Sequence, residues 1–92
     1  MQVTVHYLAQ LRRAAGCASE RLEVELDVTV CDLFHQLAEI HGDGLRTLLL
    51  DENCRPHPSL LVFVGEQPAE YSGVLREGDE ITILTPMAGG SW

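Results

Sequence analysis

The stretch RLEVELDVTVCDLFHQLAEIHG, residues 21–42, changes its period halfway along. Leu22, Val24 and Leu26 alternate with Glu23, Glu25 and Asp27, which predicts a half-buried strand with its apolar side inward. At Thr29 the repeat lengthens. Thr29 is placed to cap a helix, with Asp32 three residues on to return the bond. Val30, Leu33, Phe34, Leu37, Ala38 and His41 then recur at helical spacing, and Gly42 stands where a left-handed C-cap would close the helix. The spacing predicts a helix over 30–41 with one stripe laid against a sheet.

Upstream, Val3, Val5 and Tyr7 alternate with Thr4, His6 and Leu8, predicting a strand over 2–8. The small and polar residues 12–19, with Gly16 among them, read as the turn that joins it to the second strand as a hairpin. Downstream, Leu45 to Leu50 predict a short helical turn, and a loop with Pro56 and Pro58 follows. LLVFVG (60–65) is a continuous apolar run expected to form a buried strand. EGDE (77–80) makes a tight turn into a last strand, EITILT (80–85), with Ile81 and Ile83 on one face. The first two strands are too close for a crossover, so an alternating parallel fold is excluded. The class is α+β, a roll of about four to five strands with one main helix packed on one face. If the last strand lies beside the first, the roll is a β-grasp. One domain is expected over 1–86, followed by a tail, 87–92.

Composition narrows the function. The chain has 92 residues, enough for one small core. Fourteen Asp and Glu against six Arg give a formal net charge of -8, and there is no lysine. Without a basic stripe, neither nucleic acid nor an anionic membrane is an expected partner; proteins with basic patches are. No apolar run approaches the roughly 20 residues of a membrane span. The start, MQVTVHYLAQLRR, lacks the pattern of a secretory signal. Cys17, Cys31 and Cys54 are odd in number and scattered, as reduced thiols would be, so a cytoplasmic location is expected.

The closing stretch, LREGDEITILTPMAGGSW (75–92), carries the chemistry. Pro86 stops the last strand. Beyond it Met87, Ala88, Gly89 and Gly90 are small or flexible, and residues 86–90, fully extended, would reach about 17 Å. Two consecutive glycines suit a backbone that must thread a narrow channel and deliver a carboxylate into another enzyme's active site. VTVHYLAQLRRAAG (3–16) and LREGDEITILTPMAGG (75–90) together resemble the MoaD/ThiS family of ubiquitin-like sulfur carriers: an opening strand, an acidic GDE turn, a strand, a proline break and Ala-Gly-Gly.

That resemblance implies a β-grasp carrier that catalyses nothing itself. A partner adenylyltransferase related to ubiquitin-activating enzymes would use ATP to convert the Gly90 carboxylate to an acyl adenylate. A sulfur donor would then make the thiocarboxylate, which passes sulfur to an acceptor. Gly90 is the reactive position, Pro86, Met87, Ala88 and Gly89 form the threading lead, and no bound cofactor is implied. Four features depart from the family pattern. Ser91 and Trp92 follow Gly90, Thr85 stands where the family has the first proline of a pair, Met87 where it commonly has valine, and Gly65 near a frequent family Asn. The extension implies a precursor cut between Gly90 and Ser91 by a JAMM-type zinc metalloprotease; an inert end is the alternative. The Ala-Gly-Gly ending leans toward the molybdopterin branch, with a sulfur-accepting synthase subunit as partner, over thiazole or cysteine synthesis. A ubiquitin-like modifier joined to target proteins through Gly90 is the other function class.

The remaining candidates have plainer readings. Cys31 and His35 are four apart on the helix, as metal ligands can be, but no second pair completes a site, and no metal is expected. His6 and His57 read as solvated or satisfied, and His41 as a favourable charge at the helix C-terminus. Cys17 and Cys54 lie in loops, with Arg55 the only basic neighbour. Glu77, Asp79 and Glu80 read as a solvated turn rather than an acid–base pair.

Overall fold

The capping box forms as its spacing requires. The Asp32 backbone N–H donates to Thr29 Oγ1 at 3.1 Å, and the Thr29 N–H donates to Asp32 Oδ2 at 3.0 Å. From there α2 runs Val30–His41, burying Val30, Leu33, Phe34, Leu37 and Ala38. This computed structural model describes residues 1–85; the expected boundary between 86 and 87 lies outside them. Both Thr29 bonds, backbone before side chain, hold the Asp32 carboxyl below its ordinary range. Thr29→Ala is expected to cost about 1 kcal/mol in a urea melt and to move the Asp32 titration, followed by NMR, back up toward its ordinary value.

Five strands form one sheet in the order β2-β1-β5-β3-β4. In chain order they are β1 (Gln2–Tyr7), β2 (Ser19–Glu23), β3 (Leu61–Val64), β4 (Gln67–Pro68) and β5 (Glu80–Leu84). β1 and β5 run parallel, with Val5 opposite Ile81 and Tyr7 opposite Ile83; the other pairings are antiparallel. The last strand therefore lies beside the first, and the roll is a β-grasp. Val3, Val5, Tyr7, Val62, Ile81 and Ile83 point to one face, where they meet the buried stripe of α2.

Five local expectations are corrected. The stretch read as a turn over 12–19 contains a helix, α1 (Gln10–Ala15), closed by Gly16 in the left-handed region. Leu11 anchors α1 in the core, and Arg12, Arg13, Ala14 and Ala15 are good helix formers. The second strand stops at Glu23, because β1 offers no partner beyond Met1, whose carbonyl takes the Val24 N–H at 2.8 Å. Asp27, at φ 63°, then turns the chain toward α2, and Leu26 is left 76% exposed. The run 60–65 is buried on one side only: Leu60 and Val62 face the core, while Leu61 is 46% exposed. Gly42 does have positive φ, but its ψ of -164° is extended, a conformation nearly confined to glycine. The chain therefore ends α2 and starts α3 (Asp43–Leu49) at the same residue, which lengthens the helical turn expected over 45–50. The short β4 was not foreseen; it pairs with β3 through Phe63–Pro68 and Val64–Gln67.

Candidate functional site

β5 is held on both sides by neighbouring strands, so the chain leaves the centre of the sheet at Leu84 and Thr85. The predicted tail residues Pro86, Met87, Ala88, Gly89, Gly90 and Ser91 lie outside the described residues. Their point of departure, however, is fixed. Leu84 pairs with Leu61 of β3, and the Leu8 N–H donates to the Ile83 carbonyl at 3.3 Å.

Among the described residues, the same alternation that fills the core leaves the other face of the sheet open. Leu61, Phe63, Thr82, Leu84 and His6 point away from the buried side, and register sets Phe63, Thr82 and His6 in one row. Next to the departure point the face is apolar, with Leu61 and Leu8 both exposed. One row further it turns polar, where His6 Nε2 meets Glu80 Oε1 at 2.8 Å. An uncovered apolar patch bordered by charge, at the root of a tail, is suited to recognition by a protein that also takes the tail.

The acidic turn is structural. Asp79 Oδ2 accepts the Arg76 N–H at 2.8 Å, and Glu77 Oε2 accepts the Gln2 N–H at 3.2 Å. The Gly78 N–H to Gln2 carbonyl bond, at 2.8 Å, and the Thr4 N–H to Asp79 carbonyl bond, at 3.0 Å, staple the turn to β1. These carboxylates fix the start of β5 and are not arranged as an acid–base pair.

The thiols are dispersed. Burial, reinforced by Glu20 at Cys17 and by Asp32 at Cys31, pushes both thiols up from their ordinary range, the opposite of an activated nucleophile. Cys54 is exposed, and its Sγ takes a bond from Arg46 Nη2 at 3.5 Å; Arg55, its chain neighbour, makes no such contact. His35 does not join Cys31 as a ligand: its Nε2 lies 2.7 Å from the Cys54 carbonyl. Among the described residues no group of three His, Cys, Asp or Glu is gathered for a metal. His57 Nδ1 is satisfied by Ser59 Oγ at 2.9 Å.

Sequence reasoning missed one network. Glu20 Oε2 accepts from the Tyr7 hydroxyl at 2.5 Å and lies 2.5 Å from His41 Nε2, tying β1, β2 and the end of α2 together. The signal was present, since Tyr7 falls on the same face as Val3 and Val5, and a buried tyrosine hydroxyl needs a partner. Burial first, then the Glu20 bond, raises the Tyr7 phenol far above its ordinary value, and burial raises Tyr71 as well. The folded chain keeps these protons when the unfolded chain releases them. Stability is then complete below pH about 10 and falls as pH rises further. Tyr7→Phe is expected to shallow that alkaline loss, read from urea midpoints on either side of pH about 10.

Residues 5–90 match the ThiS family. Small archaeal modifier protein 3 of Haloferax volcanii is 30% identical over 94 residues, covering 98% of this chain and 100% of that protein. The crystal structure of SAMP1 from Haloferax volcanii superposes with a TM-score of 0.89 at 23% identity, over 98% of this chain and 100% of that one. A chain of the Amycolatopsis orientalis BexX/CysO complex superposes with a TM-score of 0.68 at 26% identity, over 96% and 99% of the two chains.

Proposed function

The chain belongs to the ThiS family of ubiquitin-like carriers and modifiers, and from that premise we propose that it is a sulfur carrier working through Gly90. The supporting observation is the apolar open face of the sheet at the root of the tail. An adenylating partner seats on Leu8, Leu61, Phe63 and Leu84 and draws in the tail. Once Ser91 and Trp92 are cut away by a JAMM-type protease, the Gly90 carboxylate attacks the α-phosphate of ATP. Pyrophosphate leaves, and an acyl adenylate forms. A sulfide donor attacks the acyl carbon, AMP leaves, and the thiocarboxylate remains on Gly90. The C-terminal Ala88-Gly89-Gly90 favours a molybdopterin-type acceptor, a synthase subunit that takes the sulfur, over thiazole or cysteine synthesis. That a relative is found in a BexX/CysO complex supports a carrier that acts by docking on a larger protein.

A second reading, conjugation through Gly90 to target proteins, is favoured by the 30% identity to a protein named as a modifier. One experiment separates the two. The chain ending at Gly90 is incubated with a ubiquitin-activating-enzyme-like adenylyltransferase, ATP and sulfide, and its intact mass is measured. Exchange of one oxygen for sulfur is expected of the carrier. A ladder of heavier conjugates in cell extract without that exchange supports the modifier. An unchanged mass with no conjugates overturns both.

A further inference from the structure

Leu26 is the residue that most plainly defies its sequence pattern. The alternation Leu22, Val24, Leu26 assigns it to the core, yet it is the most exposed large apolar residue among those described. It stands on the rim of a groove of about 760 Å³ between the 24–28 segment and α2. Val24 and Val28 also line this groove, which lies on the helix-covered side of the sheet, away from the open face.

The charge around Leu26 has one sign. Glu25, Asp27, Asp32 and Glu39 line the same groove, from the loop and from two levels of α2. Asp32 is held ionised by its bonds to Thr29. Glu23 is already paired with the N-terminal amine at 2.7 Å, so it is partly neutralised. No arginine lines the groove, and its one basic residue, His35, is bonded to the Cys54 carbonyl. The Gln36 side-chain amide donates to the Glu23 carbonyl at 3.0 Å, tying the helix to the strand end. The groove therefore has fixed walls and presents an exposed aliphatic side chain among carboxylates. An anionic surface or an acidic peptide is repelled from it; a cationic segment with an aliphatic anchor is complementary in both respects.

We infer that this groove is a docking site for a basic segment of a partner protein, whose aliphatic side chain packs on Leu26 while its arginines or lysines pair with Glu25, Asp27 and Glu39. The inference does not depend on the tail chemistry, because the two surfaces lie on opposite sides of the sheet. A partner held here leaves the open face free for whatever engages Gly90.

The test uses the full ¹⁵N-labelled chain and an amidated synthetic peptide that alternates arginine with leucine, with spermine as an apolar-free control. Amide shifts are expected to concentrate in the 23–28 segment and along Asp32 to Glu39. Leu26→Ser should weaken the peptide about tenfold, as loss of one apolar anchor does. The combined Glu25→Gln, Asp27→Asn and Glu39→Gln variant should weaken it further and flatten its salt dependence. These side chains are solvent-facing, and matching melting curves verify that each variant is folded. Unchanged affinity in Leu26→Ser overturns the inference. So does a shift map centred on the Glu77–Glu80 turn, or one that spermine reproduces in full, since either outcome reduces the binding to diffuse attraction by a chain of net charge -8.

Discussion

Leu61→Asp is expected to lower kcat/KM for adenylation of the chain ending at Gly90 by about 30-fold to 1000-fold, or roughly 2–4 kcal/mol of partner binding. Leu61 lies opposite Leu84, the last residue of β5, and so stands beside the last described residues of the chain. Nearly half its surface is exposed, so the fold loses little when it changes, whereas a partner covering it loses an apolar anchor and must bury a charge. On the proposed docking the loss should fall on KM rather than kcat, because Leu61 would contact the partner and not the reacting carboxylate. Leu61→Ala should give a smaller loss in the same direction, and Leu26→Ser on the far side should give none. If Leu61→Asp turns over like the parent, the open face is not the docking surface.

The largest effect on stability is expected at Phe34. Phe34→Ala removes a fully buried ring and should cost about 3–5 kcal/mol, a large share of the roughly 5–15 kcal/mol that holds a domain of this class together. Loss of the Phe34 ring also removes the edge-on contact with Tyr71, whose ring centre is 5.6 Å away. The Tyr71 hydroxyl in turn donates to the carbonyls of His57 and Leu60 at 3.3 Å, which seats the loop leading into β3. A urea midpoint shifted by the cavity alone, with hydrogen exchange at Leu60 and Leu61 unchanged, would show that the Phe34–Tyr71 contact does not secure that loop. Faster exchange there, beyond the global loss, is the expected result.

Much of this molecule could be read from its amino acids in order. Local rules sufficed for α2, because a capping box, a helical apolar stripe and a glycine all act within a few residues of one another. They sufficed equally for β1 and β5, where alternation over five or six residues separates core from surface. Gly90 is proposed as the reactive position only from residue types near it and their family resemblance.

What the sequence could not determine depends on neighbours distant along the chain. Leu26 continues a perfect alternation, but a strand lasts only as long as its partner, and β1 begins too late to hold it. The run 60–65 is apolar throughout, but whether Leu61 is covered depends on which face of the sheet the helices occupy. Glu20 is one glutamate among many until the fold brings Tyr7 and His41 to the same oxygen. Periodicity specifies which side of an element is apolar. Only the packing of elements against one another decides which apolar sides are buried and which are left for a partner.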